Sequence, residues 1–211
     1  MNSISLKVFV FASGLAIVLG GCAGMLGTIK SAKDKGTDSS TKSSPASPTN
    51  REFARAVSLL KDERYQEAEP LLIKLTQGFP DSSGPLTNLG IVYLRTDRQD
   101  EAVSTFKKLL SLNPKNPTGH NYLGVAYRTK GEFDNARKAY EQAVSADPTF
   151  SAAYLNLGIL YDLYLSQPNK ALSYYEKFRT LATGDDTQRV EKWIAEGQRR
   201  SKSAVSQGGK Q

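Results

Sequence analysis

The stretch NYLGVAYRTKGEFDNARKAYEQAVSADP, residues 121–148, decides the fold of this chain. Shifting the 211-residue sequence against itself by 34 positions brings this stretch onto earlier and later segments. Several residue types keep the period: Leu89-Gly90, Leu123-Gly124 and Leu157-Gly158; Tyr93, Tyr127 and Tyr161; Ala68, Ala102 and Ala136; Pro80, Pro114 and Pro148. A fixed period of this length predicts a stack of similar supersecondary units. We place them at 49–82, 83–116, 117–150 and 151–185.

The repeated pattern resembles the tetratricopeptide repeat (TPR), a helix–turn–helix unit of about 34 residues. The copies read Leu86-x₂-Leu89-Gly90-x₂-Tyr93…Ala102-x₃-Phe106…Pro114, His120-x₂-Leu123-Gly124-x₂-Tyr127…Ala136-x₃-Tyr140…Pro148 and Tyr154-x₂-Leu157-Gly158-x₂-Tyr161…Ala171-x₃-Tyr175. A degenerate first copy carries Ala56, Leu59, Ala68, Leu72 and Pro80. The last copy is one residue longer, which we attribute to the turn at residues 166–169. The resemblance implies an all-α solenoid of four repeats, each a helix A followed by a helix B.

Signature residues fit this arrangement physically. Gly90, Gly124 and Gly158 lie inside helix A, where glycine costs about 1 kcal/mol against alanine, so we expect helix B to approach closely there. Proline after Asn113 and Asp147 predicts the ends of two B helices, because a residue before proline avoids the helical region. Beyond the repeats, the apolar residues of 186–200 recur at helical spacing and predict a helix that caps the last repeat. Residues 201–211 are predicted to be a disordered basic tail.

The N-terminus is typical of a secretory signal peptide, predicted at residues 1–21. Its apolar run, residues 8–21, is shorter than the about 20 residues that a spanning helix needs. The run ends in Leu19-Gly20-Gly21-Cys22, which resembles the bacterial lipobox and implies that Cys22, the only cysteine, becomes a lipidated N-terminus. The other interpretation is a chance cysteine after an uncleaved anchor.

Residues 22–48 are predicted to be a disordered tether, because Ser, Thr, Lys, Gly and Pro cannot bury enough surface to fold. Ala23 stands where enterobacterial lipoproteins retained in the inner membrane carry aspartate. By that resemblance we expect a lipid anchor on the periplasmic face of the outer membrane.

Charge and composition exclude several classes of function. The net charge is +7, but residues 49–197 hold 19 basic and 19 acidic residues, so the excess lies on the flanks. A nucleic-acid groove would place it on the folded part, and we predict no nucleic-acid binding. A single histidine, His120, and a single cysteine cannot build a metal site or a nucleophilic triad. Phosphate-binding loops are absent as well, so we predict no enzyme, no metal, no cofactor and no small-molecule substrate.

The TPR resemblance also implies where partners bind. In that family helix A lines a concave groove, and the corresponding positions here are Phe53, Val57, Thr87, Ile91, Leu94, Arg95, Asn121, Val125, Arg128, Leu155, Ile159 and Asp162. One row of them is apolar: Val57, Ile91, Val125 and Ile159. Such a row predicts a partner with an apolar helix or extended segment, oriented by Arg95, Arg128 and Asp162. Alternatively, the row packs between helices or lies under the capping helix.

The sequence leaves two functions open. The first is an adaptor that binds envelope proteins and aids assembly of a larger complex, similar in layout to the TPR lipoproteins that assist pilus secretins or dock peptidoglycan hydrolases. Some TPR modules clamp a chain-terminal carboxylate with lysine and asparagine at the fifth and ninth positions, but that pair is missing here. The second is a structural envelope protein whose basic tail associates with peptidoglycan or membrane.

Overall fold

The computed structural model describes residues 48–182 and 186–208. The predicted signal peptide, Cys22, the tether up to residue 47 and residues 209–211 lie outside these described residues. Within them the chain forms helices and no strand, which confirms the all-α prediction. The helices are α1 (Pro48–Lys61), α2 (Tyr65–Gly78), α3 (Ser83–Arg95), α4 (Gln99–Leu112), α5 (Pro117–Thr129), α6 (Phe133–Ala146), α7 (Ser151–Ile159) with a π-helical turn (Leu160–Tyr164), α8 (Pro168–Leu181) and α9 (Asp186–Gly208).

Consecutive helices pack as four hairpins, and each hairpin packs on the next. The first helices of the hairpins, α1, α3, α5 and α7, also contact one another in sequence. Within the described residues, the second helices of the hairpins, α2, α4, α6 and α8, do not contact one another in a comparable way. Because one row of helices touches and the other is spread apart, the stack curves. The touching row therefore forms the inner, concave side, which we call the inner face.

An aromatic ring from helix B fills the space beside each signature glycine. A methyl group added at Gly90, Gly124 or Gly158 would lie 2.5, 2.5 and 2.4 Å from the nearest ring atom of the facing aromatic residue. These rings belong to Phe106, Tyr140 and Tyr175. Close approach of helix B was predicted, but a side chain occupies the space rather than the helix backbone. The glycines therefore make room for the largest side chains of the core.

Each helix A is followed, two residues past its end, by one residue with left-handed backbone conformation. These residues are Glu63, Asp97, Gly131 and Ser166, with φ of 57°, 60°, 78° and 52°. In the first three repeats the backbone amide of the residue after it donates a hydrogen bond to the carbonyl five residues earlier. One example is Arg98 N–H to Tyr93 O at 2.8 Å. This geometry is a helix C-terminal motif that glycine adopts most readily.

The extra residue of the fourth repeat lies before the turn to which we attributed it. The equivalent bond there runs from Gln167 N–H to Tyr161 O, so the added residue falls between these two positions. It is absorbed by the π-helical turn Leu160–Tyr164, where Leu165 N–H donates to Leu160 O at 3.0 Å. The attribution to residues 166–169 was wrong. The extra residue widens the helix into a π-helical turn, and the turn that follows is unchanged.

Glu63→Gly should stabilise the protein. Glu63 is exposed and has positive φ, a conformation that costs a side-chain-bearing residue about 1 kcal/mol and glycine little. We expect an increase of about 0.5–1 kcal/mol in the free energy of unfolding, measured by urea titration. Gly131→Ala, the reverse change at the equivalent residue, should lower it by a similar amount. If both substitutions changed the free energy of unfolding in the same direction, the left-handed assignment would be contradicted.

The predicted capping helix is present, but its predicted end was wrong. Helix α9 packs on α8 through the buried side chains of Val190 and Ile194, and the ring of Trp193 lies 5.5 Å from that of Tyr175. It covers the last apolar cluster of the stack. The helix continues to Gly208, eight residues past the predicted end, so residues 201–208 are helical rather than disordered. Ordinary helix-forming residues there, with neither proline nor glycine before Gly208, allow this continuation.

Candidate protein-binding groove

The predicted apolar row lies along the inner face but is open only at part of its length. Val57 and Ile91 are partly exposed on α1 and α3, and Ile159 is partly exposed at the end of α7. Val125 on α5 is only 3% exposed and belongs to the buried cluster that includes Leu155. The row is thus interrupted at the third repeat, where it packs between helices, as the alternative interpretation stated.

An amide pair joins the third and fourth repeats across the inner face. Asn121 is buried, and its side-chain oxygen accepts a hydrogen bond of 2.9 Å from Asn156 Nδ2. This bond joins α5 directly to α7. Together with buried Leu155 it makes this part of the inner face a packed helix interface. Asn121 and Leu155, both predicted to line the groove, serve that interface instead of offering surface.

The first two repeats leave more of the inner face accessible. Val57, Thr87, Ile91 and Arg95 are all partly exposed there. The hydroxyl of Thr87 donates to Ser83 O at 2.8 Å, within its own helix. We call these side chains, on the neighbouring helices α1 and α3, the open half of the inner face.

Two further residues predicted to line the groove act partly as packing residues. Phe53 is half-buried, and its ring would lie 3.1 Å from a methyl group added at Gly84 on α3. Leu94 packs against two neighbouring apolar clusters, those of the second and of the last repeats. Both side chains therefore border the open half without forming its floor.

The three charged residues predicted to orient a partner differ in their surroundings. Arg95 is partly exposed on α3. Asp162 is partly exposed within the π-helical turn and already has an interaction partner. Arg128, at the end of α5, is only 9% exposed, and its guanidinium lies 5.7 Å from the centre of the Tyr164 ring. Only Arg95 therefore borders the open half as a simple surface charge.

Sequence reasoning missed the roles of three residues in the last two repeats. Tyr140 was expected only as a packing residue, yet its hydroxyl is a buried polar group, and burial raises its pKa to about 12 although the cation of Arg128 lowers it. Asn156 and Tyr164 were not singled out. The extra residue of the fourth repeat was the available signal for Tyr164, because it displaces the end of that helix A.

Ion pairs join neighbouring repeats on the side of the stack where helix A turns into helix B. Arg98 pairs with Glu69 of the preceding repeat at 2.8 Å, and Lys130 pairs with Asp100 of the preceding repeat at 2.8 Å. Hydrogen bonds to Asp100 and Glu132 raise the pKa of Lys130. These charges are therefore satisfied largely by ion pairs within the protein.

Two other kinds of feature are missing from the described part of the chain. No group of three or more His, Cys, Asp or Glu residues there is arranged to hold a metal ion. None of the described helices combines the length and apolarity required to span a membrane.

Fold and inner face together define a class: a solenoid of helical hairpins whose inner helices form a concave surface. The tetratricopeptide-repeat family matches residues 53–117, 87–149 and 123–184, and the chain belongs to this family. TPR proteins are generally non-catalytic scaffolds that bind other proteins.

Solved structures of TPR proteins share this fold. A thermophilic TPR protein of Thermus thermophilus, TTC0263, is 22% identical with a TM-score of 0.61, over 71% of this chain and 80% of that one. PilF of Pseudomonas aeruginosa is 19% identical with a TM-score of 0.66, over 74% of this chain and 70% of PilF. MamA is 19% identical with a TM-score of 0.55, over 72% of this chain and 96% of MamA. No curated protein matches the chain. At such identities the likeness concerns the fold.

Proposed function

We propose that this chain is a lipid-anchored adaptor of the bacterial cell envelope that holds a segment of another envelope protein against the open half of its inner face. It acts as a scaffold that positions subunits of a larger complex and carries out no reaction. The observation that carries the proposal is the open half itself: Val57 and Ile91 present apolar surface with Arg95 at its border. Exposed apolar surface bordered by charge is typical of protein-binding sites.

The anchor rests on the sequence that precedes the repeats. Leu19-Gly20-Gly21-Cys22 supplies the acceptor cysteine, and residues 23–47 supply a spacer between the lipid and α1. Two or more acyl chains hold a protein stably on a membrane, whereas one does so marginally. PilF shares the fold. A pilus-type secretion complex is one candidate machine, because the lipobox followed by repeats is similar in layout to the TPR lipoproteins that assist pilus secretins.

Capture of a partner should depend on the open half. In a crosslinked pull-down from membranes, we expect Val57→Glu and Ile91→Glu to abolish recovery of specific envelope proteins. A carboxylate at either position would have to lose its hydration against an apolar partner. Because both positions are partly exposed, far-ultraviolet circular dichroism should remain that of the wild type.

Cys22→Ala should move the protein to the soluble fraction.

Leu112→Glu is the matched control, because Leu112 is an exposed leucine at the end of α4, a helix B. It should leave the recovered partners unchanged. Equal recovery with the wild type and with both inner-face variants would contradict the groove. If deletion of residues 198–211 alone removed the association, and high salt did the same, the basic tail would be the binding element and the structural alternative would be favoured.

A further inference from the structure

Two buried hydrogen-bond donors lie together near the C-terminal end of α5. The Nε of Arg128 and the hydroxyl of Tyr140 are both buried, and neither atom makes a hydrogen bond of full geometry within the described residues. Burial, the largest effect, raises the pKa of the hydroxyl to about 12, while the charge of the Arg128 guanidinium and a hydrogen-bonding contact with it lower that pKa. The hydroxyl is therefore protonated at neutral pH and is available as a donor. A charged donor beside a neutral one calls for a negatively charged acceptor.

No carboxylate within the described residues serves Arg128. The nearby Lys130 pairs with both Asp100 and Glu132, at 2.8 Å each. Arg128, two residues earlier, has a ring contact with Tyr164 and no ion pair in this part of the chain. A buried charge without a counter-charge is destabilising. Groups of this kind occur disproportionately at functional sites.

A surface aromatic side chain, Tyr164, lies against Arg128, with its ring centre 5.7 Å from the guanidinium carbon. Tyr164 ends the π-helical turn, is 38% exposed and lies 5.0 Å from the ring of Phe133. Leu163 beside it is 63% exposed. Single π-helical turns within α-helices are frequent at functional sites. A ligand that met Arg128 at this place would have the apolar groups of Leu163 and Tyr164 beside its charge.

We propose that Arg128 and Tyr140 form a subsite for the side-chain carboxylate of a glutamate or aspartate in a bound protein segment, with Leu163 and Tyr164 contacting its apolar neighbours. Because Arg128 is only 9% exposed and its Nε is buried, a slender side chain reaches it more easily than a whole chain terminus. The lysine–asparagine pair by which other TPR modules hold a chain terminus is missing. The inference rests on the proposed function and adds a determinant of partner specificity.

The subsite can be tested with short peptides on the full-length ¹⁵N-labelled chain. The probes are acetyl-Leu-Glu-Phe-amide, its glutamine counterpart, and acetyl-Leu-Gln-Phe with a free carboxyl terminus. We expect a saturable shift of the Arg128 Nε–Hε signal with the glutamate peptide, binding about tenfold tighter than the glutamine amide, as one charge-assisted hydrogen bond provides. Arg128→Met should remove the difference. Arg179→Met, which removes an exposed cation of α8, should retain it.

A stability measurement separates a binding role from a structural one. If Arg128 is kept for a ligand, Arg128→Met removes an unpaired buried charge, and Tm should rise or stay unchanged. A Tm that falls by several degrees would assign the residue to packing and overturn the proposal. Equal affinity for all three peptides would also overturn it, as would binding of the free-terminus peptide alone. The assay needs no cellular partner, so its failure is distinguishable from failure of capture at Val57 and Ile91.

Discussion

Phe106→Ala should lower the free energy of unfolding by about 3–5 kcal/mol, the usual cost of removing a buried aromatic ring. The ring of Phe106 is fully buried on α4 and lies against Gly90 on α3. Gly90→Ala alone should cost about 1–3 kcal/mol, because its methyl group would lie 2.5 Å from the ring. Urea unfolding followed by circular dichroism measures both changes.

The double variant tests the packing between these two residues. With the ring absent, a methyl group at position 90 occupies part of the vacated space. We therefore expect the Gly90→Ala and Phe106→Ala double variant to lose less free energy of unfolding than the two single variants together. The difference should be at least about 1 kcal/mol, because residues in contact couple by this much. Phe79→Ala, at an exposed phenylalanine, is the control and should change stability by less than about 0.5 kcal/mol. Additive effects would contradict the ring-against-glycine arrangement.

Val125→Lys should destabilise the protein by roughly 3 kcal/mol or more, because it leaves a second charge buried without a partner near Arg128. Val57→Lys changes the same residue type at the equivalent position of the first repeat. Val57 is partly exposed while Val125 is 3% exposed. We expect the change at Val57 to cost less than about 1 kcal/mol. Thermal unfolding of the two variants gives the comparison, and similar losses of Tm would mean that the inner face is equally open, or equally closed, at both repeats.

The repeat architecture was predictable because its determinants are local and periodic. Leu-Gly pairs, tyrosines and prolines at a spacing of 34 residues define each hairpin, and proline after Asn113 and Asp147 marks the ends of α4 and α6. The cap was predictable for a similar reason, because Val190 and Ile194 recur at helical spacing. Its extension to Gly208 was not, since no apolar pattern or stop signal defines that end.

The candidate site was only partly predictable, because burial depends on the neighbouring repeat. Val57 and Val125 occupy the same repeat position, yet only Val125 packs into a buried cluster with Leu155. The sequence places Arg128 on the groove but does not show that its guanidinium interacts with the Tyr140 hydroxyl. One extra residue in the fourth repeat signals an irregularity. Whether a turn or a helix absorbs it is decided by packing.

Site-specific photocrosslinking in membranes tests the central claim, that the open half of the inner face holds another protein. A photoreactive phenylalanine analogue would replace Ile91 in one variant and Leu112 in another, with Cys22 intact in both. We expect a covalent adduct of defined mass from position 91 and none from position 112. Adducts from position 112 with none from position 91 would contradict the claim, and would place the partner on the outer helices.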